Sequence, residues 1–249
     1  MKIRLTGKNI EDIRPLLQQY GLEETNDTPE LIICYGGDGS LLGGERSFPG
    51  VPKLPLRDTR SAHLCDEHDH RKQLQDFLDG KIAASRLKKL EALTGPHHLT
   101  ALNDIYIHNH DPASALRYQV WIDDQLYAEE IAGDAVGLST VHGSSAYYRS
   151  ITHSVFRVGL GLAFSNSMEL VNHMVIDEKS EVRIRIIRGP GVIIADNDPE
   201  RIIMQENEEV LLRQSNREAL IYGLENFMCP KCRFLRHFNQ YPFVRMTHK

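Results

Sequence analysis

Ten residues constrain this chain more than any other stretch: Leu31-Ile32-Ile33-Cys34-Tyr35-Gly36-Gly37-Asp38-Gly39-Ser40. A short apolar run reads as a buried strand. It breaks into three glycines around one acid and one hydroxyl. Glycine permits backbone angles and close approaches that a Cβ forbids. Successive N–H groups in such a turn form a concavity for an anion, typically phosphate. Leu41 and Leu42 open the helix that should follow, and its N-terminus adds partial positive charge. Asp38 is the odd member, because an acid repels phosphate. Its use there is chemical: taking a proton from a hydroxyl, or holding Mg²⁺. The plainer reading makes Asp38 the cap of a strand-to-helix turn.

The stretches on either side read as an α/β opening. Ile3 and Leu5 mark a short strand. Ile10, Ile13, Leu16 and Leu17 fall at helical spacing over Asn9–Tyr20, with Gly21 as the stop. With the Leu31–Tyr35 strand this predicts a parallel sheet. In such sheets ligands sit beyond the carboxyl ends of strands, where Gly36–Ser40 falls. Residues 43–65 read as loop, with a short strand at Leu54–Leu56. Asp66–Leu78 reads as a helix ended by Gly80.

From about residue 82 the pattern changes. Arg86–Leu93 is ambiguous, since Leu87, Leu90 and Leu93 are spaced as in a helix. Alternation at Ile105 and Ile107 and at Val182, Ile184 and Ile186 marks strands. Val120–Leu126 around Asp123-Asp124, and Val192–Met204 around Asn197-Asp198-Pro199, read as hairpins. Val210–Leu212 is another strand. A helix over Arg217–Phe227 closes the reading. The expected organisation is therefore an α/β domain over 1–92 and a β-rich domain over 93–215.

Bulk properties exclude some partners. The 249-residue chain carries a formal charge of -5, whereas nucleic-acid binders normally show a basic excess. No apolar run approaches the roughly 20 residues of a membrane span, and Met1–Leu5 shows no signal-peptide core. Four cysteines in a chain this long do not read as a disulfide framework, which points to a reducing cytoplasm.

Two further stretches carry chemistry. In Ala101-Leu102-Asn103-Asp104-Ile105, an amide and an acid precede a strand, and together they can hold a sugar diol. Gly133–Tyr147 runs from a strand into a turn of hydroxyls and small residues, then a helix through Tyr147 and Ser150. Small residues let a ligand approach the backbone. Ser144 and Ser145 offer hydroxyls, and Tyr147 offers a ring face and a phenol. His63, Cys65, His68 and His70 have zinc-type side chains but irregular spacing. Cys229-Pro230-Lys231-Cys232 is a single Cys-x-x-Cys without a second pair. Neither is assigned a metal.

In this order, the three stretches resemble the ATP-dependent NAD kinase family. That family pairs a Gly-Gly-Asp-Gly-Ser/Thr motif with an Asn-Glu or Asn-Asp pair, and later a Gly-Asp-Gly segment running through Thr-Gly-Ser-Thr-Ala-Tyr. The counterparts here are Gly36–Ser40, Asn103-Asp104 and Gly133–Tyr147. Leu162–Asn166, Ser180–Ile187 and Asp196-Asn197-Asp198 extend the resemblance over roughly residues 30 to 225. It implies an α/β domain followed by a β-rich, sandwich-like domain, with the chain end, 216–249, returning to complete the first. It implies transfer of the ATP γ-phosphoryl to the 2′-hydroxyl of the adenosine ribose of NAD, with Mg²⁺ accompanying ATP, in a homodimer or homotetramer.

By the same resemblance Asp38 orients or deprotonates the hydroxyl. Gly36, Gly37, Gly39 and Ser40 line the phosphate side. Asn103 and Asp104 grip the ribose, while Ser145, Ala146, Tyr147 and Ser150 contact the dinucleotide. One segment departs from the pattern. The family's Gly-Val-Asn-x-Gly-x-Leu-Gly-Phe-Leu has become Pro55–Leu64, with Arg57 in place of Asn. Arg57, Arg60 and His142 bring positive or titratable groups, and an extra phosphate contact is expected there, with Arg60 on the phosphate side. Two rivals stay open: a dinucleotide-binding sensor without turnover, and another Gly-Gly-Asp-Gly kinase acting on lipids or sugar phosphates.

Overall fold

The computed structural model describes residues 1–60 and 68–231. The chain divides into two compact units, Met1–Arg86 with the returning chain from Ala219, and Leu87–Glu218.

The first unit is α/β. Its elements are β1 (Lys2–Gly7), α1 (Arg14–Gln19), β2 (Glu23–Glu24), β3 (Leu31–Gly36), α2 (Asp38–Ser47), β4 (Lys53–Arg57) and α3 (His70–Leu78). The strands lie in the order β2-β1-β3-β4, and every neighbouring pair is parallel. All six residues of β3 are buried, as expected of a strand covered on both faces. Ile3, Leu5, Leu31, Ile33, Leu54 and Leu56 from the sheet pack with Ile13, Leu17 and Leu74. A buried ion pair, Lys53 with Glu45, ties β4 to α2, and Lys53 also donates to the Phe48 carbonyl at 2.7 Å.

The second unit is strand-rich. Its elements are β5 (Ala84–Thr94), β6 (His97–Ala101), β7 (Asp104–Asn109), β8 (Leu116–Ile122), β9 (Gln125–Gly133), β10 (Ala135–Ser139), α4 (Tyr147–Thr152), β11 (Leu160–Ser165), β12 (His173–Ile176), β13 (Val182–Arg188), β14 (Gly191–Ala195) and β15 (Ile202–Met204). The closing elements are β16 (Glu209–Tyr222), whose last residues lie in the first unit, and α5 (Leu224–Phe227). One sheet runs β12-β11-β10-β7-β14-β15 and is antiparallel throughout. The other contains β16-β13-β8-β9, with β5 and β6 attached through β16. One core draws on both sheets, joining Tyr118, Val120, Ile184 and Leu212 to Ile105, Leu138, Leu162 and Ile193. The expected α/β unit followed by a β-rich, sandwich-like one is therefore what is found.

Three local expectations are corrected. The helix over 9–20 is two pieces, a 3-10 turn at Ile10–Asp12 and then α1, whose first turn contains Pro15; proline starts helices because its missing N–H is not needed there. The loop over 43–65 is helical as far as Ser47, since Gly43 and Gly44 lie inside α2. Gly44 is there for space: a Cβ would stand 2.5 Å from the Cys34 sulfur. The expected start of the next helix, Asp66 and Glu67, lies outside the described residues; α3 runs from His70, with Asp69 capping it by accepting from the Lys72 N–H at 2.7 Å. The helix over Arg217–Phe227 is strand as far as Tyr222, because Ala219 and Ile221 are buried with a period of two and Ile221 pairs with Lys53. Gly223, left-handed at φ 65°, then turns the chain into the four-residue α5. The ambiguous Arg86–Leu93 segment is strand: pairing of β5 with β6 and burial of Leu90 and Ala92 outweigh the helical spacing.

Candidate active site

In the first unit the site begins where β3 ends. Gly36 sits at φ 151°, and a Cβ there would lie 2.2 Å from the Ser40 hydroxyl, so only glycine fits. Gly37 is the residue before α2, and its carbonyl accepts from the Ser40 N–H at 3.0 Å and the Leu41 N–H at 3.4 Å. Asp38 is therefore the first helical residue, at the carboxyl end of a parallel strand, with its side chain 60% exposed. An acid at this end of a helix is favoured by the helix dipole. Gly39 is exposed and Ser40 half-buried.

Behind this turn lies Arg57. Its side chain is buried, with Nη1 3.5 Å from Asp38 Oδ1. Nε and Nη2 both donate to the Phe227 carbonyl, at 3.0 and 2.7 Å. The guanidinium also stacks on the Phe227 ring, 3.8 Å from its centroid. Arg60 donates to Asp12 at 2.5 Å. Of the His/Cys set, His63 and Cys65 lie outside the described residues, as does Cys232. His70 donates from Nε2 to the Arg57 carbonyl at 2.8 Å, and His68 is buried. Among the described residues no group of three or more His, Cys, Asp or Glu side chains could hold a metal ion.

In the second unit the Asn103-Asp104 pair enters β7 through a turn fixed from β14. The Asp196 carboxylate accepts from three backbone N–H groups: Leu102 at 2.7 Å, Asn103 at 2.7 Å and Asp104 at 3.1 Å. Asp196 donates its own N–H to the Asp104 carbonyl at 2.9 Å. Asp104 is buried and Asp196 half-buried. Burial, and then the Asp196 charge, push the Asp104 carboxyl up to about 8. Burial also pushes Asp196 up, against the three N–H groups and the charge of Lys89. Those N–H bonds favour the charge on Asp196, so the proton of the pair resides on Asp104 at neutral pH. A protonated Asp104 donates, where a carboxylate only accepts. Asn103 is 8% exposed, and its side-chain carbonyl has no partner.

The third motif is stitched to the second. Thr140 donates its hydroxyl to the Leu102 carbonyl at 2.8 Å and its N–H to the Asn103 carbonyl at 2.8 Å. A Cβ on Gly143 would lie 2.1 Å from the Asn103 carbonyl oxygen, which is why the turn needs a glycine there. Ser144 donates to the Phe156 carbonyl, and Ser150 to the Tyr147 carbonyl at 2.7 Å, so both hydroxyls also serve the local fold. Ser145 is half-buried and Ala146 exposed. The Tyr147 ring meets Tyr106 edge-on at 4.8 Å and lies 5.5 Å from His108. Burial holds the His108 imidazole below its ordinary value. The structure thus brings Asn103, Asp104 and Gly143–Tyr147 together. Sequence reading treated Asp196 as a mere turn and missed Thr140, Tyr106 and His108, because their partners lie far along the chain.

The parallel α/β opening with its glycine turn and the antiparallel second unit define an α/β-plus-β class of fold, and structural comparison makes it more specific. The fold is that of the NAD kinases. It aligns with yeast NADH kinase complexed with NADH at a TM-score of 0.76 and 16% identity, covering 91% of this chain and 86% of that one. It aligns with an NAD kinase from Archaeoglobus fulgidus in complex with ATP at a TM-score of 0.74 and 16% identity, covering 92% and 96%. Sequence relatives agree. A protein named NAD kinase from Pectobacterium atrosepticum is 28% identical over 222 residues, which is 83% of this chain and 75% of that protein. One from Methanothermobacter thermautotrophicus is 24% identical over 216 residues, or 82% and 75%. No family model matches the chain. The resemblance read from the three motifs is borne out.

Proposed function

We propose that this chain is an ATP-dependent kinase that transfers the γ-phosphoryl group of ATP to the 2′-hydroxyl of the adenosine ribose of NAD, giving NADP. The observation that carries the reading is Asp38: an exposed carboxylate on the first turn of α2, beyond the end of β3, among three glycines. The relatives' shared name and the fold support it.

The roles follow from the side chains. Asp38 orients the hydroxyl and accepts its proton, a contribution of about 10²–10⁴-fold. Gly36, Gly37, Gly39 and Ser40 offer backbone and a hydroxyl to phosphate, and Arg60, two-thirds exposed, adds charge on that side. Asn103 brings an unsatisfied carbonyl to the ribose, and protonated Asp104 a donor. Ser145, Ala146, Tyr147 and Ser150 form the dinucleotide-facing stretch. Mg²⁺ arrives with ATP and neutralises charge on the transferring group. One exposed carboxylate at the turn suits an ion held chiefly by substrate phosphates. The protein works in the cytoplasm; the buried free thiol of Cys34 fits a reducing compartment. It assembles as a homodimer or homotetramer, a reading supported by the exposed apolar Val158, Met168, Leu170 and Val171. Among the described residues no helix is long and apolar enough to cross a membrane.

Incubation of purified protein with Mg-ATP and NAD should give NADP, and Asp38→Asn should lower the rate by about 10²–10⁴-fold while leaving NAD affinity within about tenfold. Turnover by the variant near the wild-type rate refutes the role of Asp38. NAD binding by calorimetry without any NADP formation identifies a dinucleotide sensor instead.

A further inference from the structure

We infer that Arg57 is a positioning residue for Asp38, coupling the acid of the glycine turn to the C-terminal segment through Phe227. The inference rests on the kinase reading above. Arg57 stands where the resembled family pattern has Asn, so its role belongs to this chain. Three contacts define it. Nη1 approaches Asp38 Oδ1 at 3.5 Å from the buried side, while the acid's other side faces solvent. Nε and Nη2 grip one acceptor, the Phe227 carbonyl, as a fork. The Phe227 ring lies under the guanidinium at 3.8 Å.

The fork and the stacked ring fix the plane of the guanidinium, and with it the position of Nη1. The guanidinium also backs the turn itself: a Cβ on Gly37 would stand 3.8 Å from Nη1. The strand that carries Arg57 is anchored as well. Its carbonyl accepts from His70 at 2.8 Å, and the next residue, Asp58, accepts from Asn9 at 2.6 Å and from the Arg60 N–H at 2.8 Å. A cation so fixed holds a carboxylate in one orientation; a flexible lysine keeps the charge but not the fixed fork, and a neutral amide keeps neither. A misplaced catalytic group costs on the order of 10²-fold in rate per ångström. At 6% exposure the Arg57 side chain serves the acid rather than an incoming phosphate.

The test compares wild type, Arg57→Gln and Arg57→Lys, each with Asp38 and with Asn at position 38, by steady-state kinetics and by urea unfolding. Positioning predicts that Arg57→Gln lowers kcat by about 10- to 100-fold with KM for NAD and ATP within twofold. It predicts that Arg57→Lys recovers part of the loss, and that Arg57→Gln costs no further rate once Asp38 is Asn. A raised KM for ATP with kcat held would overturn the inference in favour of a phosphate contact. Equal rate losses in both backgrounds would reduce Arg57 to a purely structural part. If wild type makes no NADP, the kinase reading fails separately. The unfolding cycle needs no turnover: non-additive changes for Arg57→Gln and Asp38→Asn support the coupling, and additive changes overturn it.

Discussion

Replacing Asp104 by Asn removes a proton site that folding strengthens. Burial first, and the Asp196 charge second, push the Asp104 carboxyl from its ordinary 3.8 up to about 8. In the unfolded chain it titrates near the ordinary value. Between these two values the folded chain holds a proton that the unfolded chain has released. Stability therefore falls as pH rises: the contribution is complete below the unfolded value and lost as pH passes through about 8. The slope is at most about 1.4 kcal/mol per pH unit, or at most about 4 kcal/mol from pH 5 to pH 8. Asn is a neutral isostere and carries no such slope, while Asp196 keeps its three N–H partners. The assay is urea unfolding of both proteins at pH 5, 6, 7 and 8, read as a difference so that other titrating groups cancel. The variant should gain on wild type by more than about 2 kcal/mol over that range, about half the limit just given. Parallel stability curves would mean that Asp104 is ionised in the folded protein, and the assignment of the proton within the pair would fail.

Tyr147→Ala should weaken NAD binding by about 1–2 kcal/mol through lost stacking; an unchanged dissociation constant by calorimetry would move the dinucleotide elsewhere. Lys53→Met leaves the buried Glu45 charge without its partner and should cost about 3–5 kcal/mol, most of it recovered when Glu45→Leu is added. A single variant no worse than the double one in denaturant unfolding would show that the pair carries no uncompensated charge.

The legible parts of the sequence were local. The run Leu31–Tyr35 ending in glycines defines a buried strand and a turn, because an apolar run and the absence of Cβ atoms act within a few residues. Alternation at Ile105 and Ile107, or at Val182 and Ile184, marks strands for the same reason. The three motifs, taken in order, carried the likeness to NAD kinases. The errors arose where distant partners decided. The end of the last strand, from Arg217, reads as helix because its pairing of Ile221 with Lys53 bridges a long stretch of sequence. The spacing over β5 is ambiguous, and its pairing with the neighbouring β6 decides for strand.

What the sequence by itself determined is the chemistry available: an acid among glycines, an amide–acid pair, and a hydroxyl-rich turn beside a tyrosine. Only the tertiary structure decided the state of those groups. It enclosed Asp104 beside Asp196, three of whose bonds come from backbone more than 90 residues away. It also set Arg57 between Asp38 and a carbonyl 170 residues further along. Burial and charge–charge interaction depend on distance in space. A side chain's type is written in the sequence, but its protonation and orientation are set by neighbours that folding supplies.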